Sequence, residues 1–303
     1  DETMKPLDHS VPLPNRRQFL RNAVVAGIGL PLLGKQLYAH QDSDDCMFTR
    51  MGVNAGFNYA QAAHAAGADY LLIPVGKFLR PNQSEAEFEK QLRLLDQSPL
   101  PVLSCNGFLS GPQSRSVGPD AKTDNVLRFA ETAFKRAKRA GVKHIVFGSS
   151  GSRRKPDDWT KEQVDEQFIA LLQKMGPMAE SQGIIVAVEN LQAKECNYLT
   201  RVSEVGEIIE QVDHPNVRVL ADLYHSTVMG DRPEDYAKYA HLMAVIEIAE
   251  KRGRTVPGVN GQNFRPYFQA LKRKGYRGPI EIEGTWKPEQ LSKAFATIRE
   301  QAS

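Results

Sequence analysis

Three cysteines, two tryptophans and seven histidines are few for a chain of 303 residues, and each scarcity excludes something. Cys46, Cys105 and Cys196 are odd in number and far apart. They lack the close spacing and the histidine partners of a zinc site, so neither a disulfide framework nor a zinc cluster is expected. Buried or incidental thiols suit them better. Charge of one sign is scarce too: 39 Lys+Arg against 36 Asp+Glu leave a formal net charge of +3, too small and too dispersed for a nucleic-acid or membrane-surface binder. The densest basic stretch, Lys135-Arg136-Ala137-Lys138-Arg139, falls in a helical pattern and reads as a solvated face. No Gly-rich dinucleotide fingerprint follows the first apolar run, and no Pro/Ser/Gly-rich linker divides the chain after the N-terminal segment.

That segment has its own grammar. Asn15-Arg16-Arg17-Gln18-Phe19-Leu20 is a twin-arginine pattern. An apolar stretch from Ala23 to Leu33 follows it, interrupted by Gly27, Gly29 and Pro31, and Ala39 comes after a polar step. The order matches a twin-arginine export signal, and the stretch is short for a bilayer span. Residues 1–39 are therefore expected to be a signal peptide and 40–303 the folded domain. The protein is expected to be exported to a bacterial periplasm after folding in the cytoplasm, with no stable membrane insertion once the signal is removed.

About 260 residues then remain, near the usual size of a (β/α)8 TIM barrel. Their sequence repeats one pattern: a helix ending at glycine, a short gap, an apolar strand. Gly67, Gly141, Gly183 and Gly275 each close such a helix, supplying the left-handed residue that short αβ loops need. Eight strands are expected, at 47–54, 70–75, 101–106, 144–149, 184–191, 217–224, 244–249 and 279–283. Helical periodicity runs between them, as over 124–140 and 161–181. Alternation of this kind predicts a parallel sheet with right-handed crossovers, and the fold class is a single α/β (β/α)8 TIM barrel.

Four of the later strands end in an acid: Glu189 in IIVAVEN, Asp222 in VRVLAD, Glu247 in AVIEIAE and Glu283 in PIEIEG. Side chains alternate along a strand, so these acids share the interior face with Ala187, Leu220 and Val245. A buried carboxylate is costly unless something compensates it. One could be a salt-bridged rim residue. Four in succession predict convergence on a divalent metal at the catalytic end of the barrel. An all-oxygen set favours Mn²⁺ or Mg²⁺, with Co²⁺ also within reach. His225, three residues after Asp222, is placed to orient a substrate hydroxyl. Arg254, in the loop after the seventh strand, suits an oxygen-rich ligand. Arg153 and Arg154 follow the fourth strand and could reach an anionic or hydroxylated ligand, with Trp159 as a stacking surface for a sugar ring. Glu281 shares the parity of Glu283 one layer deeper, without an assigned role.

The ordered set Val188-Glu189-Asn190-Leu191, Glu195-Cys196-Asn197, Ala221-Asp222-Leu223-Tyr224-His225, Ile246-Glu247-Ile248-Ala249-Glu250, Arg254 with Pro257-Gly258, and Ile282-Glu283-Gly284-Thr285-Trp286 resembles the xylose-isomerase-like sugar isomerase/epimerase superfamily. That group contains hydroxypyruvate isomerase and the ketose 3-epimerases. Asn106-Gly107-Phe108 and Phe147-Gly148-Ser149-Ser150 extend the resemblance over nearly all of the domain. It implies that Glu189, Asp222, Glu247 and Glu283 ligate the metal and that Glu189 and Glu283 are the catalytic acid/base pair. It also implies that His225, Arg254, Asn106 and Glu195 contact substrate. One departure stands out: the seventh-strand ligand is commonly His or Gln, and here it is Glu247. Four carboxylates over-neutralise a dication, so a proton is retained, a nearby cation compensates, or Glu247 has another role.

The expected chemistry is proton abstraction beside a carbonyl through an enediolate, giving isomerisation or epimerisation of a sugar or keto-sugar. The same site could instead expel a glycosidic group, making a keto-glycoside lyase or hydrolase. A non-catalytic periplasmic sugar-binding protein is the reading from another class. The partner expected is a small sugar, with self-association into a homo-oligomer compatible with the fold and nucleic acid excluded.

Overall fold

The computed structural model describes residues 46–110 and 114–303; the twin-arginine segment and the expected boundary at residue 40 lie outside the described residues. Eight strands form a closed barrel in sequence order: β1 Met51–Asn54, β2 Tyr70–Leu72, β3 Val102–Cys105, β4 His144–Phe147, β5 Ile185–Glu189, β6 Val217–Asp222, β7 Met243–Ile248 and β8 Ile280–Ile282. Every neighbouring pair is parallel, and β8 pairs back onto β1 through Met51↔Ile280 and Val53↔Ile282.

The helices are α1 Ala60–Ala65, α2 Val75–Phe78, α3 Glu85–Asp96, α4 Thr123–Ala140, α5 Lys161–Gln182, α6 Val202–Val212, α7 Leu223–Met229, α8 Pro233–Tyr239, α9 Arg265–Arg273 and α10 Pro288–Ala302. Their apolar stripes face the sheet. In α4 the buried positions include Val126, Ala130, Ala133, Phe134 and Ala137, a helical period that leaves Lys135 and Lys138 on the water side, whereas Arg136, expected on the solvated face, is buried and donates to the Leu79, Arg80 and Gln83 carbonyls. Thr160 starts α5 by accepting the Gln163 N–H while the Gln163 side chain accepts the Thr160 N–H, a capping box that satisfies two otherwise unpaired groups. No described helix is long and apolar enough to cross a membrane.

Two hydrophobic layers result. The larger fills the space between strands and helices. A smaller one, Leu72, Val146, Ala187, Leu220 and Val245, fills the barrel interior. Burying each such side chain contributes about 1.5–3 kcal/mol, so the barrel is a packed core with a floor rather than a pore. Polar side chains are placed above and below that floor.

The eight expected strands are all present, seven of them shorter than their apolar runs and β7 of equal length but one residue earlier. The runs overshoot because apolar residues continue into the next helix. Residue 222 ends β6 and caps α7, so Leu223 and Tyr224 are helical rather than strand. Val75 likewise begins α2.

Candidate metal and catalytic site

Glu189, Asp222, Glu247 and Glu283 each offer an oxygen, and these four atoms all lie within 4.8 Å of one another. The register accounts for it: Asp222 pairs with Glu247, and Glu247 with Glu281, while Glu189 ends β5 beside Leu220. The acids therefore crown the interior layer at the C-terminal ends of their strands. Glu189, Asp222 and Glu247 are buried, and Glu283 is the most open.

Burial and mutual repulsion govern their protonation. Burial pushes the Glu189 carboxyl well above the usual range, and the charges of Glu283 and Asp222 add to the rise. Glu247 is raised in the same way, by burial first and then by Glu283, Glu189 and Glu281. Asp222 is pushed up by burial to about 6, restrained by the Arg254 cation and by backbone N–H donors. Glu283 is raised by burial against the opposing pull of Arg254. Below the crown, burial lifts the Glu281 carboxyl to about 7, and neither of its oxygens has a hydrogen-bond partner.

Asp222 is divided between structure and site. Asp222 Oδ1 caps α7, accepting the Tyr224 N–H at 2.6 Å and the His225 N–H at 3.4 Å. Its Oδ2 has no hydrogen-bond partner, and neither oxygen of Glu247 has one. Buried acceptors left this way cost several kcal/mol unless a cation reaches them. The orphaned atoms, the oxygen-only donor set and the close spacing fit a hard divalent ion. Glu189, Asp222, Glu247 and Glu283 are the residues that would hold it.

His225 belongs to the site as a donor. Its Nδ1 accepts the Gln192 N–H at 3.2 Å, so in the neutral ring the proton resides on Nε2. That atom lies 3.4 Å from Asp222 Oδ2 and 3.5 Å from Glu189 Oε1. Burial lowers the imidazole to about 4, which keeps it neutral at ordinary pH with a single N–H aimed into the cluster. Arg254 is the cation that the carboxylate excess calls for. Its guanidinium pairs with Glu283, stands 3.7 Å from Asp222 Oδ2 and 3.6 Å from Glu195 Oε1, and lies over the Tyr224 ring. Burial works against that charge, but the surrounding carboxylates outweigh it and hold the cation more firmly. With a dication added, the four carboxylates and Arg254 leave a formal charge of about −1.

Asn106 donates its side-chain N–H to Glu283 Oε1 at 2.5 Å, and Glu195 is tied to the site through Gln192 and Arg254. Trp159 is elsewhere in its contacts: its indole is half-buried against the outer core, and no described hydrogen bond or ring contact joins it to the carboxylates. Arg153 and Arg154 part company. Arg154 is exposed and donates to the Glu195 carbonyl. Arg153 is fully buried and turned inward, donating to the Glu189 carbonyl; it lies behind Glu189 rather than facing solvent.

Four supporting residues were not identified from the sequence. Gly148, at the end of β4, leaves room for Glu189. Asn190 clips β5 to β6, accepting the Asp222 N–H at 3.0 Å and donating to Ser226 Oγ at 3.1 Å. Glu250 is fully buried and accepts from the backbone N–H groups of Gly258, Asn260, Gly261 and Gln262 and from the Thr255 hydroxyl. It thereby folds the loop that presents Arg254, whose backbone is left-handed at φ 49°. Gly284 completes the arrangement, because a β-carbon there would stand 2.6 Å from the Arg254 carbonyl oxygen. All four belong to the sequence motifs that carry the family resemblance, but only the fold reveals what they touch.

With this geometry in hand, comparison with known proteins is informative. The family described as xylose isomerase-like TIM barrel matches residues 60–301. An L-ribulose 3-epimerase of Methylomonas sp. (strain DH-1) is 25% identical over 233 residues, 76% of this chain and 78% of that protein. A putative hydroxypyruvate isomerase of Danio rerio is 25% identical over 137 residues, 44% of this chain; the match spans about half of that protein, 49%. Among solved structures, the apo 3-keto-D-glucoside 4-epimerase from E. coli superposes with a TM-score of 0.68 at 17% identity, covering 83% of this chain and 99% of that one. An IolI protein with a bound zinc atom gives a TM-score of 0.64 at 16% identity, covering 83% and 96%. These two likenesses are of fold.

Proposed function

Because the chain belongs to the xylose isomerase-like TIM-barrel family, we propose that it is a divalent-metal-dependent sugar isomerase or epimerase working by proton abstraction beside a carbonyl. The observation that carries this reading is the pairing of Glu189 and Glu283 within one buried carboxylate cluster, each with a raised affinity for protons. The curated relatives are sugar epimerases and isomerases by name.

When bound, a divalent ion supplies Lewis-acid polarisation of the substrate's carbonyl and neighbouring hydroxyl oxygens. The chain's own groups do the rest. One glutamate removes the proton from the carbon beside the carbonyl; the C–H electron pair becomes the C=C of an enediolate and the carbonyl π pair moves to oxygen. Return of that proton to the former carbonyl carbon, with the neighbouring hydroxyl's proton passing to the former carbonyl oxygen as the new C=O forms, gives the isomer. Delivery to the original carbon from the opposite face, by the second glutamate, gives the epimer. His225 Nε2–H donates to a substrate oxygen, and Arg254 balances the developing negative charge. Asn106 holds Glu283 in place. The metal's identity belongs to the proposal: the oxygen-only donors favour Mn²⁺ or Mg²⁺. Export through the twin-arginine pathway is likewise proposed, on Arg16 and Arg17 and the apolar stretch after them; cell fractionation tests it.

The deciding experiment incubates metal-loaded protein with free ketoses and aldoses in D₂O. Deuterium appearing at carbon, with conversion to an isomer or epimer, is the expected result. Protein that binds sugar and metal yet exchanges no carbon-bound hydrogen would defeat the proposal.

A further inference from the structure

Tyr59 and Trp286 form an aromatic pair at the catalytic mouth that the chemistry above does not use. Their ring centroids are 5.2 Å apart at 78°, edge to face. Tyr59 ends the short turn Phe57–Tyr59 that follows β1. Trp286 comes three residues after Glu283, and its indole N–H donates to the carbonyl of Asn54, the last residue of β1, at 3.3 Å. Both segments thus leave C-terminal strand ends, where this architecture binds its ligands.

Packing explains only half of the pair: Trp286 lies against the outer core on one side, while Tyr59 does not. Tyr59 is 43% exposed, one of only three large hydrophobic side chains so open among the described residues. Trp286 is half-buried with its one polar atom already satisfied, so its pose is fixed while part of its surface stays open. Asn58, Thr285 and Lys287 beside them are exposed and polar. A rigid aromatic surface with hydrogen-bonding groups at its edge suits the C–H face of a sugar ring, whose hydroxyls then meet the polar rim. The reacting ring must place its carbonyl and adjacent carbon between Glu189 and Glu283. The rim pair stands on the loops after β1 and β8, at the same end of the barrel as that carboxylate layer.

We infer that Tyr59 and Trp286 form a subsite for a second sugar ring, so that a sugar carrying a second ring is bound more tightly than the same sugar alone. The inference rests on the isomerase/epimerase reading for which ring reacts, and on the rim geometry for the rest.

The test uses the purified full chain loaded with Mn²⁺. Sucrose, trehalose, maltose, cellobiose and lactose, with glucose, fructose and galactose as controls, are titrated by calorimetry. In parallel, Trp286 emission is followed in a Trp159→Phe background, where it is the only tryptophan. At least one disaccharide should bind about tenfold or more tightly than its constituent monosaccharides and change Trp286 emission. Tyr59→Ala should weaken that disaccharide by about three- to tenfold and leave monosaccharide affinity unchanged. Tyr59→Phe should retain most of the gain. Because Tyr59 is exposed, its variants should melt with wild type, and calorimetric melting confirms that the comparison is between folded proteins. Equal affinity for disaccharides and monosaccharides, no disaccharide binding, or an equal loss for both classes in Tyr59→Ala overturns the subsite. The two proposals fail separately: disaccharide binding through Tyr59 without D₂O exchange on any sugar removes the reaction and keeps the subsite. Exchange on monosaccharides with Tyr59→Ala silent toward disaccharides does the reverse.

Discussion

A β-carbon on Gly148 would stand 2.0 Å from Oε2 of Glu189, so the end of β4 is bare where the β5 carboxylate lies against it. No side chain fits that gap without moving the carboxylate. Gly148→Ala should therefore displace Glu189 by about an ångström while leaving the barrel folded. A displacement of that size costs on the order of 10²-fold in rate. Turnover and melting temperature measured together check it; an alanine variant with wild-type rate would show that Glu189 has another position from which to work.

The acid/base assignment makes a sharper demand. Glu189→Gln and Glu283→Gln keep the shape of each side chain but cannot accept the proton, so each should lower turnover by about 10²–10⁴-fold. His225→Ala should be milder, since it removes a donor to a substrate oxygen and not the base. Rates of D₂O exchange rank the three variants.

Glu247 has both oxygens buried without a hydrogen-bond partner and three other acids beside it. Replacing it with a hydrophobic side chain of similar length removes that burden, so Glu247→Met should stabilise metal-free protein by about 1–3 kcal/mol. The same change should weaken metal binding at least about tenfold. Denaturation with and without chelator gives the two signs; a variant destabilised in both states contradicts the proposed role.

Protonation ties metal affinity to pH. Asp222, raised to about 6 in the metal-free protein, must lose its proton to bind a cation. The metal-free state therefore holds protons that the bound state releases, and affinity should rise as pH climbs through about 6 and go on rising until Glu189 and Glu247, whose carboxyls are also raised, have lost theirs. Calorimetry in buffers of different ionisation enthalpy reads the proton release directly.

Glu250 predicts an effect at a distance. Burial opposes its ionisation, but the donors from Asn260, Thr255 and Gln262 outweigh burial and hold its carboxyl below the usual range. A depressed folded-state value means that its stabilising contribution is complete above the unfolded carboxylate range near 4.5 and is lost as pH falls through the lower folded value. Glu250→Gln should loosen the loop that carries Arg254, costing about 1–3 kcal/mol of stability and raising KM more than it lowers kcat. Equal loss in both kinetic constants would mean the loop does more than seat substrate.

How much of this was legible beforehand depends on the range of the interaction. The acids could be located from strand parity alone, because a period of two decides which face a residue occupies. Their shared layer followed from parallel pairing. Glu250 could not be read this way: its donors come from a folded loop, and alternation says nothing about loops. Arg153 illustrates the same limit. An arginine in a loop reads as solvated, yet the fold turns it under Glu189, where its guanidinium meets a backbone carbonyl. Strand ends were overestimated at Leu223 because a hydrophobic residue serves a helix and a strand equally well; the capping carboxylate of Asp222 made the decision.

The seam between β1 and β8 has a consequence for biosynthesis. Met51 pairs in register with Ile280, whose N–H donates to the Arg50 carbonyl, so the first strand waits for the last one. A nascent chain still on the ribosome has six or seven strands and two open edges, and exposed edges of this kind recruit other chains. Closure comes only after Ile282 has emerged. Emergence of β8, rather than any earlier stage of translation, is then the moment at which the barrel loses its open edges, and nonsense mutations even a few residues before Ile280 should yield insoluble product.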